Sequence, residues 1–246
     1  LGLMALMASA WAVLRETTIL REAMESQLSE RFGGLVRIKK VKWDGWNRIT
    51  ATSMDLRARG WEGDAATVAS MDRAKVVFSP MMLLLGRIEL VDMEVEGLAL
   101  HLVERADKPG DFNFLALKPK SGGGTSVRQP QKALLRDLRL EFGTSTGGTV
   151  TTIASQQFAA DFDHLPDDPS TYSFRLEQRE QDGAPITDNA IRLFGTWNER
   201  DFTYAATLDA LVIDERLLRA LPAKARRWAL RSGLAGRIER ARIEGS

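Results

Sequence analysis

The feature that most constrains the fold of this chain is the alternation of charged and apolar side chains through much of residues 72–117. In such a run, successive side chains point to opposite faces of a strand. Leu98, Leu100 and Leu102 would therefore share one face, with His101 on the other. This pattern is typical of a β-sheet with one dry and one wet face.

Similar strand patterns occur along most of the chain, separated by turns rich in Gly, Asp and Asn. They cover residues 36–43, 49–59, 67–78, 88–103, 134–142, 150–162, 172–181, 190–197 and 202–212. The doubled lysine at Lys39 and Lys40 indicates a bulge that can flip the face that each later residue occupies. We therefore predict a mainly β chain with short helices, whose strands run antiparallel and form a meander in the second half.

The amino-terminal residues predict a membrane anchor followed by an amphipathic helix. Residues 1–14 carry no charge, and helical periodicity continues over 17–32 until Gly33 and Gly34. A membrane-spanning helix needs about 20 apolar residues, so we interpret the sequence as a fragment whose anchor is truncated. The alternative is a signal peptide, since residues 8–10, Ala-Ser-Ala, fit a cleavage site. The balanced charges after residue 14 favour the periplasmic side, because cytoplasmic flanks are usually rich in Lys and Arg.

Composition divides the chain into four segments. The Gly/Ser/Pro-rich stretch predicts a flexible linker, and Asp214 and Gly233 are predicted to cap and end a pair of helices. The segments are an anchor and amphipathic helix at 1–33, a first β-sheet repeat at 34–117, the linker at 118–132, and a second β-sheet repeat at 133–246, with the helical pair at 214–232, that continues beyond the fragment.

A short recurrence favours repeated units within one elongated sheet. The sequence Gly-Arg-Ile-Glu occurs at residues 86–89 and again at 236–239, each time after a helical interruption. This is the pattern of a sheet that grows by adding similar units.

Charge and composition argue against most catalytic chemistry and against nucleic acid as a partner. The net charge is +1, and there is no cysteine, so no strong positive field attracts nucleic acid and no thiolate is present. The histidines are His101 and His164, and no nucleophile, base and orienting group stand at a recognisable spacing. We therefore expect no enzyme activity, no metal site and no cofactor.

Several motifs follow one another in order and together resemble the AsmA-like family of bacterial envelope proteins, within the bridge-like lipid transfer superfamily. They are the apolar start, the helix that ends at residues 29–34 and runs into Val36-Arg37-Ile38, the segment containing Ser79, Pro80, Gly86 and Arg87, the tetrad Asp111, Phe112, Asn113 and Phe114, and the late stretch 213–222.

The resemblance implies a single-span inner-membrane protein, with most of its chain in the periplasm of a Gram-negative-type bacterium and a taco-shaped β-groove that is hydrophobic inside. The implied function is to carry or shield phospholipid in outer-membrane biogenesis. The implied partners are phospholipid acyl chains, the inner membrane and outer-membrane assembly proteins.

A lipid carrier needs a continuous dry track, because each acyl CH₂ loses about 0.8 kcal/mol on entering water. An alternative function is a structural or assembly factor that engages outer-membrane β-barrel proteins through exposed strand edges. For the lipid groove, the residues predicted to line the track are Val36, Ile38, Ile49, Leu56, Val76, Phe78, Leu98, Leu100 and Leu102.

Overall fold

The computed structural model describes residues 17–45, 47–79, 81, 90–118, 132–165, 167–180, 190–198, 201, 203–214, 217–218, 221 and 223–245. These residues are mainly β with few short helices, as the sequence predicts. The helices are α1 (Thr17–Phe32) and α2 (Ala223–Arg231), with 3-10 turns at Gly63–Ala66 and Asn113–Ala116. The strands are β1 (Leu35–Trp43), β2 (Arg48–Arg57), β3 (Thr67–Phe78), β4 (Leu90–Glu96), β5 (Ala99–Arg105), β6 (Lys132–Thr146), β7 (Thr149–Leu165), β8 (Asp168–Arg179), β9 (Arg192–Asn198), β10 (Tyr204–Ile213) and β11 (Gly236–Gly245).

All of these strands belong to one sheet. Its order is β1-β2-β3-β4-β6-β7-β8-β9-β10-β11, with β5 paired to β3 and β6. β4 and β5 follow one another along the same line between β3 and β6, like one strand with a break. The strands of both predicted repeats therefore contribute to a single surface.

One predicted property of the sheet is wrong, because its strands are not antiparallel throughout. β4 and β5 both pair with β6 in parallel, with Val95 opposite Leu135 and Leu100 opposite Leu140. The other strand pairs of the described sheet are antiparallel, including the predicted meander from β6 to β11. Parallel pairing needs a crossover of a dozen or more residues. The long connection between Arg105 and Lys132 supplies that length.

Halfway along β1 and β2, burial switches from one set of alternate positions to the other, in agreement with the irregularity predicted from the doubled lysine. Val36 and Ile38 are buried before the change and Val41 after it, although their positions differ in parity. Lys39 and the opposite Ser53, whose φ is 52°, are left out of the pairing, while the register is the same on both sides of them. Because both strands are interrupted at the same level, their apolar side chains stay on one side of the sheet.

α1 packs its apolar side chains on the first strands and ends at Phe32, directly before Gly33, as predicted. Leu20, Met24 and Leu28 pack on the buried cluster beneath the helix, which consists of Val36, Ile38, Val41, Ile49, Ala51 and Leu56. No helix in the described ranges is long and apolar enough to span a membrane. The predicted anchor at residues 1–14 lies outside those ranges.

The tetrad that ends the first predicted repeat ties β5 to the beginning of β3. Asn113 is fully buried, and its Oδ1 accepts hydrogen bonds while its Nδ2 faces three carbonyl oxygens, so that one of its two hydrogens is shared. β3 and β5 pair directly at only two described positions. Beyond these positions, the Asn113 amide joins the two strands by hydrogen-bonding to backbone groups of both. Its partners are the N–H groups of Val103 at 3.1 Å and Phe114 at 2.9 Å, and the carbonyls of His101 at 2.8 Å, Thr67 at 3.0 Å and Ala65 at 3.2 Å.

The predicted helical pair at 214–232 is described in part. Asp214 caps its first turn, because its Oδ1 accepts a hydrogen bond from the Leu217 N–H at 2.8 Å. α2 is the second helix and ends before Gly233, with the Leu234 N–H bonded to the Ala229 carbonyl at 2.9 Å.

The other predicted motif, after β3, falls mostly outside the described ranges. Ser79 follows β3 directly, whereas Pro80, Gly86 and Arg87 are not among the described residues, and neither is most of the predicted linker.

Candidate functional site: the apolar face of the sheet

Two rows of apolar residues cross the sheet from β1 to β11. Directly paired residues on neighbouring strands point to the same face, so the pairing defines which side chains form a row. The first row is Trp43, Ile49, Val76, Met93, Ala133, Phe162, Phe174, Gly195, Ala206 and Ile243. The second row is Val41, Ala51, Ala74, Val95, Leu135, Ala160, Leu176, Leu193, Leu208 and Ala241. We call the side of the sheet that carries both rows the apolar face.

The opposite side, which we call the polar face, is mostly charged. The row that lies between the two apolar rows, but points the other way, consists of Lys42, Thr50, Lys75, Glu94, Leu134, Asp161, Arg175, Phe194, Thr207 and Arg242. The sheet therefore has the one dry and one wet side that the alternation predicts, and this holds in both halves of the chain.

Ion pairs join neighbouring strands on the polar face where β4 meets β3 and β6. Glu94 is 3.0 Å from the Lys75 Nζ and 3.0 Å from the Arg136 Nε. The hydrogen bond from Lys75 lowers the pKa of Glu94 below its usual value, although burial acts in the opposite direction. These partly exposed ion pairs therefore connect β3, β4 and β6 on the polar face.

α1 covers only the beginning of the apolar face. Beneath it, Val41 is 1% exposed and Ile38 is 3% exposed. Farther along the rows, large side chains are only half-buried, and α1 is the only described helix with extensive contacts to the sheet. The half-buried apolar side chains of this open part are Leu100, Leu102, Leu140, Phe142, Phe158, Phe162, Phe174, Leu176, Leu193, Trp197 and Leu208.

Aromatic rings form one border of this open part. The rings of Phe162 and Phe174 lie 6.3 Å apart, and those of Tyr172 and Trp197 lie 5.8 Å apart and are stacked. Tyr204, on the next strand, continues this border and is 44% exposed. Large, flat side chains of this kind supply much of the apolar area in binding surfaces.

The nine residues predicted to line a groove all lie on the apolar face, but in two different environments. Val36, Ile38, Ile49 and Leu56 are packed beneath α1 and are core residues. Phe78 packs beside them, stacked on Trp43. Of the nine, Leu100 and Leu102 lie in the open part of the apolar face. Val76 and Leu98 lie between the core beneath α1 and the open part, and both are half-buried.

Most of the open apolar face was missed by sequence reasoning. Phe162, Phe174, Leu176 and Leu193 are central to it. The alternation in residues 150–162, 172–181 and 190–197 could have identified them, because it already predicted these strands. The alternation could not predict the pairing register, which determines that these side chains lie on the same face of the sheet as the apolar side chains of β1–β5.

His101 has two side-chain partners that sequence spacing could not reveal. Its Nε2 is 3.1 Å from the Ser70 Oγ, and its Nδ1 is 2.9 Å from the Glu141 Oε2. The order of groups is that of a hydroxyl nucleophile, a base and an orienting carboxylate. All three residues lie on the polar face and are half-buried.

The surroundings of Ser70 are a regular β-ladder. Ser70 lies inside the ladder, opposite Asp55 on one side and Ala99 on the other. Stabilising an oxyanion needs N–H donors aimed at the developing charge, whereas these neighbours belong to a regular sheet. We therefore interpret the three side chains as a polar link across β3, β5 and β6.

Cavities of mixed polarity lie at both ends of the strands. One of about 760 Å³ is lined by Ser26, Ser29, Arg59 and Lys118 among others, beside the end of α1. In the described ranges, no group of three or more His, Asp or Glu side chains is placed to hold a metal ion. The apolar face is therefore the candidate functional site.

The chain matches no protein-family model, and no curated protein is significantly similar to it.

Proposed function

We propose that this protein carries or shields phospholipid, whose acyl chains lie along the open apolar face, in outer-membrane biogenesis. It would do so as an inner-membrane-anchored periplasmic protein of the AsmA-like type. The observation that supports this proposal is the pair of apolar rows, which continue across ten strands, whereas the described helices cover these rows only over the first strands. Monomeric soluble proteins rarely expose such a surface unless something binds to it.

The dimensions of the open face suit an acyl chain. Neighbouring strands are about 4.8 Å apart, so the six strands from β6 to β11 extend about 24 Å across the strands. One leaflet contributes about 15 Å of the 30 Å hydrocarbon core of a bilayer. An extended acyl chain can therefore lie entirely on this face, where each buried CH₂ contributes about 0.8 kcal/mol.

A line of unpaired residues supports a curved, groove-like sheet. Lys39, Ser53, Asp72, Gly97 and Asp137 occupy equivalent positions across β1 to β6, and the pairing skips each of them. Irregularities of this type bend strands and increase their twist. A bend at the same level in successive strands favours a trough, which is the taco shape that the family resemblance implies.

Carriage of lipid requires no bond to be made or broken. The apolar face offers area, and the polar face keeps the sheet in water.

The experiment compares two neighbouring residues of β8 that point to opposite faces. Leu176 lies on the apolar face, and Arg175 is exposed on the polar face. We expect Leu176→Glu to lower the transfer of fluorescent phospholipid between vesicles about tenfold or more, because a carboxylate on the track must be desolvated or neutralised when lipid passes. The matched control Arg175→Glu should stay within about twofold of wild type, since its charge is exposed. Equal transfer by Leu176→Glu and wild type would refute the proposal.

A second candidate function is strand addition to outer-membrane β-barrel proteins. It is favoured by the edge of β11, which pairs only with β10 in the described sheet. A partner strand could hydrogen-bond to the outer edge of β11. Leu176→Glu separates the two candidates, because it should stop lipid transfer and leave edge-mediated binding intact.

A further inference from the structure

α1 contacts the beginning of the sheet through two different stripes. Its apolar stripe, Leu20, Met24 and Leu28, lies on the apolar face. Its polar stripe follows the outer edge of β1. There the Glu25 Oε1 accepts a hydrogen bond from the Ile38 N–H at 2.6 Å, and the Ser29 Oγ accepts one from the Val36 N–H at 2.8 Å.

The second stripe is unexpected for a helix that only covers a core. Within the described sheet, β1 is an edge strand and pairs with β2 alone. The outer N–H groups of an edge strand are an open template for another strand. Glu25 and Ser29 occupy two of these donors, so the helix closes the edge as well as the face.

This arrangement leaves no room for lipid at the beginning of the two apolar rows. Val41, Ala51 and Ile49 are each at most 5% exposed, and Leu20, Met24 and Leu28 stand over them. An acyl chain could replace the apolar stripe, but it has no acceptor for the N–H groups of Val36 and Ile38. The β1 edge therefore favours the helix over lipid.

We propose that α1 is an end stop of the lipid track. This inference rests on the proposed function. Acyl chains occupy the apolar face from β5 onward, and α1 excludes them from β1 and β2. The same helix prevents a second strand from joining at β1, so any strand addition is confined to the other edge.

The test uses the wild-type protein with a phospholipid that carries a photoactivatable diazirine in its acyl chain. After illumination, adducts are mapped by peptide mass spectrometry. We expect labelling of β6–β9 peptides to exceed that of β1–β2 peptides by about tenfold or more, the difference between open and covered sites. Comparable labelling of β1–β2 would overturn the end stop and leave the proposed function standing. Absence of adducts from both regions would overturn the proposed function and the end stop together.

A paired variant tests whether the polar stripe holds the helix in place. Glu25→Ala combined with Ser29→Ala removes both acceptors but leaves the apolar stripe. We expect labelling of β1–β2 peptides to rise about fivefold or more, while labelling of β6–β9 stays at the wild-type level, which also shows that the variant is folded. Glu22→Ala, at an exposed position of α1, is the matched control and should leave the pattern unchanged. Wild-type labelling of β1–β2 in the double variant would contradict the role of the polar stripe.

Discussion

Replacing Asn113 by Ala is the sharpest test of how the first half of the sheet is held together. The side chain is fully buried, and its amide is hydrogen-bonded to backbone groups on both sides of the gap between β3 and β5. Alanine fits the space but offers neither donor nor acceptor. The backbone groups that Asn113 satisfies would then lose their partner.

The expected loss follows from the two hydrogen bonds in the driest surroundings. These join Asn113 to the Val103 N–H and to the Ala65 carbonyl, and both are buried. An unsatisfied buried backbone group costs about 1–3 kcal/mol, so the two together cost about 2–6 kcal/mol. The remaining partners are part-buried and can bind water instead. This loss is large compared with the free energy of unfolding of a typical folded domain, which is about 5–15 kcal/mol.

The assay is urea unfolding followed by tryptophan fluorescence, with the free energy of unfolding extrapolated to water. Phe114→Ala is the matched control in the same turn, because Phe114 is 38% exposed and its side chain carries no hydrogen bond. We expect the control to lose clearly less than Asn113→Ala. A loss below about 1 kcal/mol for Asn113→Ala would show that the amide is not what joins β5 to β3, since one net hydrogen bond is worth that much.

Two further predictions concern the polar face and the β9–β10 pairing. Because the pKa of Glu94 is lowered by its hydrogen bond from Lys75, its contribution to stability is present at neutral pH and is lost as the pH falls through the usual pKa of a glutamate and then through the lowered pKa. The stability difference between wild type and Glu94→Gln, measured by urea unfolding at pH 7 and pH 3, should therefore shrink at pH 3, and a constant difference would contradict this. Gly195→Ala would place a methyl group 2.7 Å from the Ala206 Cα, and we expect the overpacking to cost about 1–3 kcal/mol in the same unfolding assay. Wild-type stability of that variant would mean that β9 and β10 can separate slightly without loss.

The individual strands could be predicted because their pattern is local. The alternation over residues 67–78 gave the bounds of β3, and the doubled lysine marked the place where β1 changes face. Helix ends were equally local, since Asp214 and Gly233 act through groups a few residues away. Each of these features depends on neighbours in sequence, which an amino-acid pattern records.

The parallel step between the two halves could not be predicted for the opposite reason. Whether β6 runs with or against β5 depends on the path of residues 106–131, and a linker of that length allows either direction. The partners of His101 were missed through the same lack of register. Its face was predicted correctly, but Ser70 and Glu141 are 31 and 40 residues away along the chain, so only the pairing of three strands brings them together.

The line of unpaired residues explains how the apolar face stays continuous where β4 and β5 pair in parallel with β6. Slipping one strand by one residue would turn its apolar side chains to the polar face. At the step, β4–β5 skips Gly97, whose φ is 65°, and β6 skips Asp137, whose φ is 56°. The Gly97 N–H donates a hydrogen bond to the Arg136 carbonyl at 3.1 Å, which holds the two interruptions together.

Both strands skip one residue at the same level, so the pairing register between them is the same before and after Gly97 and Asp137. The same holds for β1 and β2 at Lys39 and Ser53. The line ends between β6 and β7, where the register shifts between Leu135 and Leu138 and the later strands run on without it. Glycine tolerates a positive φ at no cost, while Asp is among the few other residues that adopt it. The two apolar rows thus pass from the first predicted repeat to the second without a polar gap, and a lipid that lies across β5 to β7 would meet one continuous surface.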